Sequence, residues 1–203
     1  MSSLVVLTGI TGFIAKRIAL DLLEAGYAVR GTLRAARRAD EVRDALRPRL
    51  RDPAALDRLS FAEADLTRDE GWPEAMAGAD ALLHTASPFP MASPRDEGDI
   101  IRPAVEGTLR VLRAARAAGV GRVVLTSSVA AIEASPRRGA YTEEDWSDPT
   151  HPKSSAYYRS KTLAERAAWD FVAEHPGMGL TAINPALVLG QPLDAHYGTS
   201  LAL

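Results

Sequence analysis

Two side chains four residues apart, Tyr157 and Lys161, have the types and spacing to move a proton together. On a helix this spacing sets both on one face. A phenol in water keeps its proton until about pH 10, and a neighbouring ammonium favours its ionised form. The pair suits a reaction in which an oxygen gaining negative charge must be protonated, as when a carbonyl accepts a hydride. Tyr158 is the competing tyrosine, but it lies three residues from Lys161. Lysine occurs only at 16, 153 and 161, against twenty-one arginines, so each lysine is informative. Upstream, the apolar run Val123-Val124-Leu125 ends in Thr126-Ser127-Ser128. Hydroxyls at the carboxyl end of a parallel strand lie where ligands bind in open α/β sheets. Either serine could hold a substrate oxygen or satisfy the local turn backbone.

A second chemistry-bearing stretch sits near the N-terminus: Thr8-Gly9-Ile10-Thr11-Gly12-Phe13-Ile14-Ala15. Gly9 permits a tight turn, Gly12 lets backbone approach a pyrophosphate, and Ala15 lets a helix pack closely on a strand. The free N–H groups and positive dipole end of that helix would receive the phosphates. The spacing is G-x-x-G-x-x-A rather than G-x-G-x-x-G, and the strand before and helix after give it weight. In dinucleotide folds an acidic residue ending the second strand holds the 2′-hydroxyl of NAD. Here the corresponding run ends Gly31-Thr32-Leu33-Arg34, with Arg37 and Arg38 following. An arginine in that place suits the 2′-phosphate of NADP, which makes NADPH the expected cofactor; Arg37 and Arg38 read more as solvated surface. Asp65 could accept from an adenine amino group or cap the turn that follows it.

Elements of the right kind flank these residues. Short apolar runs predict strands at 4–8, 28–33, 60–64, 81–85, 122–126 and 180–183. Amphipathic runs predict helices at 12–25, 39–47, 72–77, 99–118 and 154–174. Gly26 and Gly119 stand where helix C-terminal caps belong. The alternation predicts an α/β fold, a Rossmann-type doubly wound parallel sheet with helices on both faces. The basic stretch at 34–38 and the Arg/Pro-rich stretch at 47–53 read as surface loop and helix ends.

Bulk properties exclude several classes. The chain has 203 residues, 46% hydrophobic and 25% charged, with a formal net charge of −2 and no cysteine. That length favours one domain. The charge offers nothing to nucleic acid or an anionic membrane, and disulfides and thiolate chemistry are ruled out. The N-terminal apolar run is too short for a leader or a membrane span, which predicts a cytoplasmic protein. His84, beside Leu82 and Leu83 in a predicted strand, reads as a core histidine. A hydrolase triad lacks its G-x-S-x-G elbow, and no histidine–carboxylate group has metal-site spacing.

With these residues in place, the chain resembles the extended short-chain dehydrogenase/reductases, in the branch of dihydroflavonol reductases, cinnamoyl-CoA reductases and bacterial or yeast aldehyde reductases. The resemblance rests on T-G-I-T-G-F-I-A, V-R-G-T-L-R, L-H-T-A-S-P-F, R-V-V-L-T-S-S, Y-Y-R-S-K-T-L-A-E-R-A-A-W and I-N-P-A-L-V-L-G, and covers essentially the whole chain. It implies Ser128, Tyr157 and Lys161 as the catalytic trio. It also implies Thr8, Gly9, Thr11, Gly12, Phe13 and Ile14 around the pyrophosphate, Arg34 at the 2′-phosphate, and Asp65 with Leu66 at the adenine. Ala86 and Ser87 would run along the ribose, and Pro185 would flank the nicotinamide, with Tyr157 and Lys161 also touching cofactor.

Plant dihydroflavonol reductases commonly place asparagine five residues past the serine. Glu133 stands there, so a simple aldehyde or ketone is the expected substrate rather than a flavonoid. The resemblance further implies a catalytic domain over 1–185 and the start of a truncated substrate lobe over 186–203, in a monomer or homodimer. The competing readings are an NAD-dependent nucleotide-sugar epimerase or dehydratase, and a non-catalytic dinucleotide-binding module. Arg34 argues against the first, as does the lack of an Asp-Glu pair beside Ser128. The Tyr157–Lys161 pair argues against the second.

Overall fold

Val5, Val6 and Leu7 are buried on both faces of their strand, which places that strand, β1 (Leu4–Thr8), inside a sheet covered on both sides. The structure is a computed structural model and describes residues 2–87, 96–134, 139–152 and 154–195. The other strands are β2 (Ala28–Leu33), β3 (Leu59–Glu63), β4 (Ala81–His84), β5 (Arg122–Thr126) and β6 (Gly179–Ile183). They lie in the order β3-β2-β1-β4-β5-β6, and every neighbouring pair is parallel. Winding reverses between β1 and β4. At such a reversal the loops leaving adjacent strands diverge and leave a crevice at the carboxyl ends.

Among the described residues five helices cover the sheet: α1 (Phe13–Glu24), α2 (Ala39–Leu46), α3 (Trp72–Met76), α4 (Gly98–Ala117) and α5 (Ala156–Ala173). In α1 the buried positions Ala15, Ala19, Leu20 and Leu23 recur at helical spacing. They pack with Val42 and Leu46 of α2 against Leu7, Val29 and Leu59. On the opposite face, Trp72, Met76, Val111, Leu112, Ala168 and Phe171 from α3, α4 and α5 pack against Val6, Leu82 and Val123. The result is the doubly wound Rossmann-type fold that the strand–helix alternation predicts.

Strand ends agree with the sequence reading within one residue and helix ends within two. Gly26 and Gly119 follow α1 and α4 with φ of 88° and 78°, as C-terminal caps require. The stretches read as surface loop and helix ends hold short 3-10 turns at Ala36–Arg38 and Arg47–Arg49, and a third turn follows at Pro53–Arg58. The last two carry proline at the second and the first position, Pro48 and Pro53, where a missing N–H breaks no bond within the turn. Past β6 the chain returns over α1, where Asp194 pairs with the buried Lys16. Residues 196–203, the end of the span expected to begin a second lobe, lie outside the described residues. Among the described residues no helix is long and apolar enough to cross a membrane.

Candidate functional site

The turn between β1 and α1 favours glycine at its first position on two counts, backbone conformation and space. Gly9 has φ of +66°, and a Cβ there would stand 3.0 Å from Ala86 Cβ and 3.1 Å from Ala86 Cα. Gly12 is the N-cap of α1 and supplies no side chain to it, and the first turn holds no acidic residue. The first N–H groups of a helix have no intrahelical partner. Here they and the positive end of the dipole remain available to an anion at the crevice floor.

Thr8 holds the loop leaving β4 in place. Its hydroxyl accepts from Thr85 N and Ala86 N, both at 3.0 Å, and lies 2.7 Å from His84 Nδ1. With both acceptances made, the hydroxyl proton points to Nδ1 and the ring proton resides on Nε2. His84 is 1% exposed, and burial pushes its pKa down to about 3. It is the core histidine expected from its strand.

Two adjoining cavities run across the carboxyl ends of the strands. One, of about 510 Å³, is lined by Thr11, Arg34, Asp65, Leu66 and Ala86 among others. The second, of about 250 Å³, is lined by Phe13, Ile14, Ser128, Tyr157, Lys161 and Pro185 among others. Both include Gly9, Gly12 and Ser87, which makes them one trough. The structure therefore brings together every candidate residue but one. Thr8 is fully buried, so its side chain positions the trough wall instead of lining it.

At the wide end Arg34 is exposed above β2. Arg38 lines the same cavity, donating to Thr11 Oγ1 at 3.2 Å and forming a two-point ion pair with Glu41. From sequence Arg38 reads as solvated surface; its place four residues beyond Arg34, in the same basic stretch, was the available signal. Asp65 both lines the cavity and accepts from Thr67 N and Thr67 Oγ1, at 2.8 and 2.7 Å. Those bonds hold its carboxyl below the usual range, so the turn-capping role is realised.

At the narrow end α5 starts on Ser155, whose hydroxyl accepts from Tyr158 N. Lys161 Nζ lies 5.7 Å from the Tyr157 ring centroid and donates to Ser87 Oγ at 3.0 Å. Burial pushes the Lys161 ammonium down to about 8, opposed by the Glu165 carboxylate. Tyr158 turns to Glu133, donating to Oε1 at 3.3 Å. Its pKa is raised by burial first and then by that carboxylate, which separates it from the lysine. Ser127 and Ser128 both line the cavity and are nearly buried. Ser128 Oγ accepts from Ala130 N at 3.2 Å and keeps its own proton to donate; Ser127 Oγ has no partner among the described residues. Among the described residues no cluster could hold a metal ion.

This order of strands, with a bare glycine turn under a trough at the switch point, defines a Rossmann-type dinucleotide-binding protein. The chain belongs to the NAD dependent epimerase/dehydratase family, which it matches over residues 5–200. It is 38% identical to dihydroflavonol 4-reductase of Hordeum vulgare, over 97% of this chain and 56% of that protein. It is 39% identical to cinnamoyl-CoA reductase 1 of Petunia hybrida, over 97% of this chain and 58% of that protein. Among solved structures it is similar to yeast methylglyoxal/isovaleraldehyde reductase Gre2 complexed with NADPH. The TM-score is 0.79 at 30% identity, covering 93% of this chain and 59% of that one. The chain thus spans little more than half the length of the proteins it matches.

Proposed function

We propose that this chain is the NADPH-binding and catalytic region of a carbonyl reductase that moves hydride between NADPH and an aldehyde or ketone. Residues 1–185 form the catalytic domain in this reading, and 186–203 begin the part that shapes the substrate pocket. The observation that carries it is the trough itself, with arginines at one end and Tyr157, Lys161 and Ser128 at the other.

The residues present fit a phosphorylated dinucleotide. The uncapped start of α1 and the side-chain-free faces of Gly9 and Gly12 suit a diphosphate. Arg34 and Arg38 suit a 2′-phosphate, which an acidic strand end would repel. When bound, the cofactor supplies the hydride. Ser128 donates to the carbonyl oxygen and orients it. Tyr157 delivers the proton that this oxygen needs as it becomes an alkoxide. Lys161 stabilises the charge left on the phenol and, held by Ser87, presents its ammonium to the ribose side of the trough. Relatives of this chain that reduce carbonyl compounds, the yeast aldehyde reductase among them, support the reading.

Fluorescence titration with NADPH and NADH tests the cofactor, and NADPH oxidation against a panel of aldehydes and ketones tests the chemistry. Tyr157→Phe is expected to lose about 10²–10⁴-fold in turnover while holding NADPH as tightly as the parent. Undiminished turnover in that variant removes Tyr157 as the acid, and a preference for NADH removes the cofactor assignment.

A further inference from the structure

Tyr157, Lys161 and Glu165 follow one another at four-residue steps along α5 and so share one face of the helix. Glu165 is only 5% exposed, and a carboxylate this deeply buried is kept only where it is paired. One oxygen accepts from Asn184 Nδ2 at 2.7 Å, and the other from Trp169 Nε1 at 3.4 Å. Asn184 follows β6, and the same amide group donates its second hydrogen to Ser128 O at 3.1 Å. A single side-chain amide therefore joins the helix that carries Tyr157 and Lys161 to the strand end that carries Ser128.

The groups facing Lys161 are few. His84 at the end of β4 is neutral, Ser87 supplies a hydroxyl, and Tyr157 presents its ring. Glu165 is the carboxylate acting on it among the described residues.

We propose that Glu165 and Asn184 are positioning residues of the Ser128–Tyr157–Lys161 site. Glu165 keeps the buried Lys161 ammonium charged. Together with Asn184, it fixes α5 against the Ser128 end of β5. Neither residue touches the reacting atoms. Their effect on turnover rests on the reductase reading; the effect of Glu165 on Lys161 does not.

The chain's three lysines make a direct test simple. Lysine labelled with 13C at Cε gives three NMR signals to follow against pH, and Lys161→Arg identifies the one that matters. Glu165→Gln keeps an oxygen for Asn184 and removes the charge, so the Lys161 midpoint is expected to fall by about one pH unit. Asn184→Ala is expected to leave that midpoint near the parent's. In carbonyl reduction it is expected to lower kcat about tenfold with unchanged NADPH affinity. If Glu165→Gln does not fold, Glu165→Asp withdraws the carboxylate by one methylene and is expected to lower the midpoint by a smaller step.

A folded Glu165 variant with the parent's Lys161 midpoint overturns the electrostatic role. An Asn184→Ala variant with the parent's kcat, in a preparation that reduces carbonyls, overturns the positioning role. A preparation that reduces none still reports the midpoint, so failure of the reductase reading is seen separately.

Discussion

Lys161 Nζ, buried in α5, donates a 3.0 Å hydrogen bond to Ser87 Oγ in the loop leaving β4. This bond crosses the narrow end of the trough and gives the ammonium a fixed direction. Lys161 is 9% exposed, and a buried charge needs hydrogen bonds to replace lost water. The serine is therefore part of what keeps the lysine charged beside Tyr157.

Ser87→Ala removes that acceptor, and a hydrogen bond to a charged group contributes about 1.5–3 kcal/mol. The expected outcome is a Lys161 midpoint below the parent's and a loss of carbonyl reduction of about tenfold or more. NADPH oxidation at fixed pH and the lysine NMR titration check the two halves. Unchanged turnover would show that the ammonium finds its direction elsewhere.

Lys161 also predicts a pH dependence of stability. Burial lowers its pKa from the ordinary 10.5 to about 8 in the folded chain. Between those values the unfolded chain binds a proton that the folded chain lacks, so this residue's contribution rises with pH. It is lost as pH falls through about 8, by roughly 3 kcal/mol in all. Urea unfolding of the parent and of Lys161→Met, compared from below pH 8 to above 10, isolates it. The parent is expected to gain on the variant across that window; a constant difference would refute the shifted titration.

The arginine-ended second strand predicts cofactor choice. Arg34→Ala removes one guanidinium from the wide end of the trough, and a charge-assisted bond of about 1.5–3 kcal/mol corresponds to about 10–150-fold in affinity. NADPH dissociation is expected to rise by that factor with NADH little changed. Arg38→Ala is expected to weaken NADPH less, because Glu41 already neutralises part of its charge. Parallel fluorescence titrations with the two cofactors decide the matter. Equal losses for both would place these arginines away from the 2′-phosphate.

The fold was legible because its signals are local. Apolar runs such as Leu4–Thr8 and Arg122–Thr126 are short and bounded, and the buried positions of α1 repeat at helical spacing. Tyr157 and Lys161 were legible for the same reason, being partners on one helix. What escaped depends on strands brought together from afar. Asn184 meets Ser128 across fifty-six residues, and Thr8 meets Ala86 across seventy-eight. No spacing rule announces such a contact. Arg38 was missed differently: a short 3-10 turn at Ala36–Arg38 brings a residue read as surface into the trough.

His84 gives the last prediction, and its sign follows from burial. The ring is 1% exposed and its Nδ1 is bonded to Thr8, while Nε2 has no partner among the described residues. Protonation would place a charge in the core, which is why the pKa drops from 6.5 to about 3. Below about pH 6.5 the unfolded chain takes up a proton that the folded chain refuses, so stability falls as pH is lowered towards 3. A shift of this size is worth about 4–5 kcal/mol over the window. His84→Gln does not titrate, so the parent's advantage over it at pH 7 is expected to shrink steadily towards pH 3. Urea midpoints measured at intervals through that range follow the change. A gap that stays constant would mean that the ring meets water before the chain unfolds, and that the wall under the glycine turn is looser than Thr8 makes it.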